Sequence, residues 1–374
     1  MNVVFLSSAS NTSGGARQAL YLAQGLEERG HNVLFFVPEE ALLPDLAPHW
    51  PYWRLLKGGK SHWRRQIETA MPDDFSPFVF HAFHNAAVKL AAWWGLFWRK
   101  RAAIVAHRGV LYMPRNPLPY WLPGIDLFLV NSRACAKVLR TIGLPAGRIA
   151  CVPNSVPDSR IAPSLPPGSI RAELGIGNDA LVFLFIGNNH PNKGCELLMR
   201  AFSSAFGVSA SSRATSGGPH FADRHVPVHL VLVGISPDIW LPCRDALGME
   251  GRIHCIPPTE RIADYLAAGS VFVLPSLSES MPNTLLEAVR AGLPSIGANV
   301  GAVSDIIEDC GLLFPPGNRQ SLADAMLRMA ADPGLRARLA ACALARGRFY
   351  TPQVRLDKVE QLYSGLLRKK ALRP

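Results

Sequence analysis

Short apolar runs alternate with helical stretches along almost the whole chain, and this alternation constrains the fold more than any other feature. In the first part the runs fall at residues 3–6, 33–37, 78–80, 102–106, 127–130 and 149–152. They are nearly continuous in Val, Leu, Ile, Phe and Ala, the mark of a strand covered on both faces. Between the first two, Ala19, Leu22, Ala23 and Leu26 share one helical face, and Gly30 ends that helix. Strands separated by helices need crossover connections, so the expected sheet is parallel and doubly wound. Prolines gather with Ser and Asn over 153–167, which reads as a linker. The alternation then restarts, with strands at 181–186, 229–233, 253–256, 271–274 and 294–297. Helices are expected at 194–206, 282–291 and from Ser321 onward. The fold class is therefore α/β, with two doubly wound, Rossmann-like domains over residues 1–155 and 168–350 and a linker at 156–167. Such a tandem is expected to hold a ligand in a cleft at the carboxyl ends of both sheets.

Composition removes several alternatives. With 374 residues, 48% of them hydrophobic, the chain can bury two cores of ordinary size. The longest candidate membrane span, 86–98, carries Lys89 and falls well short of about 18 apolar residues. Met1–Asn2 offers no basic segment, and the run at 3–6 is too short for a signal peptide. Seven cysteines without a CxxC pair argue against a disulfide framework or a zinc ribbon, and fit a reducing, cytoplasmic setting. Residues 207–226, rich in Ser, Gly, Ala and His, read as a surface loop.

Of the formal charge of +11, most lies in residues 1–155, which hold 17 Lys+Arg against 9 Asp+Glu and seven of the eight tryptophans. An anionic, partly apolar partner such as a lipid surface or a phosphorylated acceptor would suit this half. Equally, the Trp side chains can be core and the basic residues a solvated rim. Nucleic acid is not expected, since no recognition motif accompanies the charge. The run Trp93, Trp94, Phe97, Trp98 leading into Arg99–Arg101 has the same two readings: peripheral contact with the inner membrane face, or burial with a basic helix end.

The residues suited to chemistry follow strand ends. After the run at 271–274 comes Pro275-Ser-Leu-Ser-Glu279-Ser-Met-Pro-Asn-Thr-Leu-Leu-Glu287. Pro282 suits a first helical turn. The amides of Met281, Asn283, Thr284 and Leu285 then lack intrahelical partners and can receive a phosphate. Glu279 and Glu287 flank that anion site and can accept hydrogen bonds from hydroxyls, as on a sugar and a ribose. After the run at 181–186, Gly187-Asn188-Asn-His-Pro-Asn-Lys193-Gly194 places an ammonium where it can neutralise a diphosphate. Gly14 and Gly15 follow the first strand, either as a close backbone approach to a ligand or as a plain turn. His107 and Arg108 end the run at 102–106, and His81 and His84 follow that at 78–80. No GxGxxG follows the first strand of either half, which disfavours a dehydrogenase.

The segment 279–288, ESMPNTLLEA, resembles the Glu-x7-Glu signature of the retaining, GT-B-fold glycosyltransferases of family 4, and is close in wording to polysaccharide and lipopolysaccharide members. The resemblance extends to Val152–Val156, to Gly301–Glu308 and to Gly311–Gly317, and is thin over 38–125. It implies that Glu279 binds hexose hydroxyls, that Glu287 binds the ribose, and that Lys193 grips the diphosphate beside Gly187. The family usually has Arg where this chain has Asn188, with Arg108 the candidate substitute cation. His107 would touch the donor sugar or the reacting centre, and Gly14–Gly15 would be the family's glycine loop. The last helix, near 352–374, would cross back to the first domain. The implied activity is metal-independent, cofactor-free retaining transfer from a nucleotide diphosphate sugar to an envelope glycan or lipid-linked acceptor. A catalytically degenerate scaffold and a sugar-nucleotide epimerase are the alternatives.

Overall fold

A computed structural model describes residues 1–207 and 226–371; the interior of the loop expected at 207–226 lies outside the described residues. The chain divides into two compact units, residues 1–155 joined by the helix from Pro352, and residues 156–351.

The first unit is a seven-stranded, all-parallel sheet. Its strands are β1 (Asn2–Ser7), β2 (Asn32–Pro38), β3 (Trp53–Leu56), β4 (Phe78–Phe83), β5 (Ala102–Arg108), β6 (Leu127–Val130) and β7 (Ile149–Cys151). Their spatial order is β3-β2-β1-β4-β5-β6-β7. Successive side chains enter opposite cores, as the two-residue period of a strand requires. Val4, Leu6, Phe36, Phe78, Phe80 and Ile104 pack on one side with helices α2 (Trp63–Ala70) and α3 (His84–Phe97). Val3, Phe5, Phe35, Val79 and Val105 pack on the other with helix α1 (Gly14–Glu28) and the C-terminal helix Pro352–Ala371.

That C-terminal helix is tied in by polar contacts as well as by Leu356 and Val359. Tyr363 Oη lies 2.5 Å from His81 Nδ1, and both groups are fully buried. Arg355 donates from Nη1 to the Gln18 carbonyl (3.0 Å) and to Gln18 Oε1 (2.7 Å), while the Gln18 amide donates to the Ser155 carbonyl (2.7 Å). One glutamine thus holds both the end of the first crossing, Ser155, and the start of the return. Burial lowers the Arg355 guanidinium to about 10, against a smaller opposing effect of Tyr363.

The aromatics of helix α3 divide between its two sides. Trp94 and Trp98 are buried against Phe80 and Phe78, whereas Trp93 and Phe97 face outward. The helix is seated by close backbone packing on the 122–124 turn. A Cβ on Gly95 would stand 1.9 Å from the Gly124 carbonyl oxygen. Gly95→Ala should therefore destabilise the protein by about 3 kcal/mol and lower the Tm by roughly 6–12 °C in a calorimetric scan; an unchanged Tm would contradict this packing.

The second unit is a six-stranded, all-parallel sheet: β8 (Leu181–Ile186), β9 (Val228–Val233), β10 (Ile253–Ile256), β11 (Val271–Leu274), β12 (Ser295–Ala298) and β13 (Gly311–Phe314). The order is β10-β9-β8-β11-β12-β13. Again Val182, Leu184 and Ile186 enter one core and Leu181, Phe183 and Phe185 the other. The segment read as a linker, 156–167, packs onto this unit. The Val156 amide donates to the Tyr350 carbonyl (2.9 Å), and Asp264 accepts the Ser164 amide and hydroxyl and the Leu165 amide at 2.7–2.9 Å. Burial pushes the Asp264 carboxyl up, but these hydrogen bonds outweigh it and hold it below its ordinary value. The seven cysteines are free, and no helix among the described residues is long and apolar enough to cross a membrane.

Candidate functional site

In the second unit the winding reverses between β8 and β11. A doubly wound sheet opens a crevice at such a point, outside the carboxyl ends of the strands. The loops leaving β8 and β11 meet there through their backbones. Gly194 has φ 72°, and a Cβ on it would stand 2.4 Å from the Pro275 carbonyl oxygen, so only glycine fits. Beside it the Leu277 amide donates to the Asn192 carbonyl at 2.7 Å. This suture brings together two side chains 86 positions apart: Lys193 Nζ donates to Glu279 Oε1 at 2.7 Å. Glu279 is nine-tenths buried and Lys193 about two-thirds, so solvent screens the pair only partly.

The remaining sequence-selected residues of this unit lie on the loops leaving β8 and β11 and on the helix that follows β11. Gly187 donates its amide to the Val233 carbonyl (2.9 Å) and carries the chain out of β8. Asn188 is exposed, and its Oδ1 accepts a local bond from the His190 amide (3.1 Å). The bracing of this loop falls to Asn189, whose Oδ1 accepts from the Ser236 amide (2.9 Å) and the Trp240 indole (3.0 Å). The helix expected from Pro282 starts one residue later, at Asn283. Pro282 is the cap residue, with an extended ψ of 115° instead of a helical one. Met281 and Pro282 thus belong to the approach, and Asn283, Thr284 and Leu285 form the first turn.

Glu287 departs from the expectation of a second open carboxylate. It is buried, and its Oε1 accepts from Arg160 Nε at 2.9 Å. Arg160 was not singled out from the sequence: it lies 127 positions away in the supposed linker, and no local pattern marks it. Ser276, also not singled out, is wholly buried at the mouth of β11, and its hydroxyl has no hydrogen-bond partner among the described residues.

In the first unit the reversal lies between β1 and β4. Gly14 and Gly15 are the first residues of α1, not part of the preceding loop, because Ser13 caps the helix by accepting from the Ala16 amide (3.4 Å). Directly across, His84 follows β4 with φ 69°, a conformation a non-glycine residue adopts at a cost. Its Nδ1 lies 3.1 Å from Ser7 Oγ, and its Nε2 would be 3.3 Å from a Cβ on Gly15. His81, by contrast, is occupied with Tyr363 in the core. His107 is buried on β5, stacked on Phe83 at 4.7 Å, with Nδ1 unpartnered among the described residues. Burial first, then the neighbouring Arg355 and His84, hold its imidazole well below the ordinary value, so it is neutral at pH 7.

Arg108 does not stand as the free cation the sequence suggested. It is buried, donates to the Tyr120 hydroxyl (2.6 Å) and the Tyr112 carbonyl, and lies over both rings. Two aromatic partners within twelve residues draw the guanidinium into the core of its own unit.

Two all-parallel Rossmann-like units of this kind define the GT-B class. The fold matches that of Anabaena HepE crystallised with UDP, at a TM-score of 0.81 and 17% identity over 98% of this chain and 100% of that one. It also matches WaaG, a glycosyltransferase involved in lipopolysaccharide biosynthesis, at 0.67 and 16% over 97% and 100%. The chain belongs to the group 1, family 4 glycosyltransferases: residues 12–160 match the model described as Glycosyltransferase Family 4, and residues 180–332 that described as Glycosyl transferases group 1. Among curated relatives, the D-inositol 3-phosphate glycosyltransferase of Streptomyces bingchenggensis is 30% identical over 57% of this chain and 47% of its own length. That of Kribbella flavida is 31% identical over 56% and 50%. The chain spans about half the length of the curated relatives it matches.

Proposed function

We propose that the protein transfers a sugar, with retention, from a nucleotide diphosphate sugar to an envelope glycan or lipid-linked acceptor at the inner face of a membrane. The observation that carries this reading is the Lys193–Glu279 pair at the reversal point of the second sheet, beside the first turn of the helix Asn283–Arg290. A diphosphate meeting Lys193 and that helix start gains a point charge and oriented amides. Glu279, relieved of its cation, accepts hexose hydroxyls, and Glu287 shares its carboxylate between Arg160 and a ribose. As the glycosidic bond breaks, negative charge grows on the departing phosphate, where Lys193 stabilises it. That phosphate oxygen takes the acceptor proton, and neutral His107 serves in the first unit as an uncharged hydrogen-bonding group. Two proteins of the same fold favour the reading: HepE was crystallised with UDP-glucose, and WaaG is a glycosyltransferase involved in lipopolysaccharide biosynthesis. The inositol-phosphate relatives favour a polyol acceptor in general.

The test is a screen of nucleotide sugars by thermal shift. A donor at about a hundredfold excess over its Kd should add about 2.7 kcal/mol, with a rise in Tm of several degrees. No rise with any nucleotide sugar would sink the proposal. Metal independence belongs to it too: EDTA should leave the initial rate of transfer unchanged, and loss of rate restored by a divalent cation would refute that part.

A further inference from the structure

We propose that the α2–α3 face of the first unit docks on an anionic phospholipid membrane, with the groove between α2 and β3 seating a lipid headgroup. The proposal deepens the reading above, on which the membrane location rests, by naming the surface that makes the contact.

Trp93 and Phe97 lie one turn apart on the outer side of α3 and are 48% and 71% exposed. Lys89 lies one turn before Trp93 and is exposed as well, and the helix runs out into exposed Arg99, Lys100 and Arg101. Large aromatics left in water beside cations cost hydration free energy, and a membrane interface relieves that cost. The face is rigid, because the inner side of the same helix is locked by Trp94, Trp98 and the Gly95–Gly124 contact.

Helix α2 extends the surface. Arg64 places its guanidinium 4.5 Å from the centre of the Phe97 ring, joining the two helices into one patch. The neighbouring Arg65 lines a groove of about 520 Å³ together with Leu55, Leu56, Phe36 and Thr69. Leu55 is half exposed there, and the Arg65 guanidinium makes no hydrogen bond or ion pair among the described residues. Helix α3 contains no acidic residue, and the acid nearest to it on α2, Glu68, is engaged by the Trp98 indole at 2.7 Å. An apolar floor with an unengaged guanidinium, next to outward aromatics and an excess of cations, complements anionic headgroups above an acyl layer.

The experiment is flotation of the full chain with phosphatidylcholine vesicles, with and without phosphatidylglycerol, in the absence of donor and acceptor. Binding is expected only with phosphatidylglycerol and should weaken as salt is raised. Arg65→Ala combined with Lys100→Ala should weaken it roughly 30-fold, and Trp93→Ser combined with Phe97→Ser about tenfold. These side chains lie on the surface, and an unchanged Tm for each variant verifies folding. The proposal is overturned if the wild type stays unbound on both vesicles, or if either variant binds as the wild type does. It is overturned as well if the aromatic pair instead supports concentration-dependent self-association seen by sedimentation. The donor-induced thermal shift, measured on the same proteins, reports on transfer separately, so failure of docking and failure of the donor assignment are told apart.

Discussion

Replacing Lys193 with alanine should raise the Kd for a nucleoside diphosphate about 30- to 100-fold. Two effects act in the same direction. The ammonium that would face the diphosphate is gone, and the Glu279 carboxylate that it held at 2.7 Å is left without that cation. A phosphate entering beside Asn283 would then meet an uncompensated negative charge in a site only one-tenth exposed at Glu279. The absence of arginine at Asn188 sharpens the expectation, because that side chain brings no charge and Arg108 is committed to Tyr120 and Tyr112. Isothermal titration with UDP measures it, and a wild-type Kd would contradict the assignment of Lys193. Adding Glu279→Gln to the same chain should recover part of the loss by removing the repulsion. The two substitutions are therefore expected to be non-additive, as groups in contact are.

Legibility in the sequence followed the range of the interactions. The inner strands of both sheets are readable because they are buried on two faces and carry unbroken apolar runs, as in Leu181–Ile186. Strand β3, Trp53–Leu56, is not readable: it lies at the sheet edge, contains Arg54, and pairs with β2 alone. The Glu279 segment is legible because a strand, a turn and a helix start follow one another within a dozen residues. What joins it to the rest is not. Arg160 at Glu287, Tyr363 at His81 and Arg355 at Gln18 are long-range pairs whose members carry no local mark. The same holds for Arg108, where composition supplies a cation and only packing decides that two tyrosines claim it. In helix α3 the run of aromatics leaves open which side faces out, because each face of the helix holds two of them: Trp94 and Trp98 inside, Trp93 and Phe97 outside.

Glu279→Gln should give the opposite signature from Lys193→Ala. The amide keeps the shape of the carboxylate and its oxygen can still accept a hydrogen bond from a hydroxyl, but it brings no charge. Lys193 loses the partner that competes with a diphosphate, so the Kd for UDP should stay the same or fall slightly. The rate of transfer should drop about 100- to 1,000-fold, the range seen when one preorganised group is removed from a developing charge. A charge-assisted hydrogen bond to a hexose hydroxyl is about twice as strong as a neutral one, and an anion beside a sugar carbon that turns positive stabilises the transition state more than the ground state. The loss should therefore appear in kcat with KM for the donor little changed. Steady-state kinetics on the two variants, side by side, decides the matter. If Glu279→Gln raises KM and leaves kcat intact, the carboxylate merely positions Lys193, and electrostatic stabilisation of the sugar is not its role.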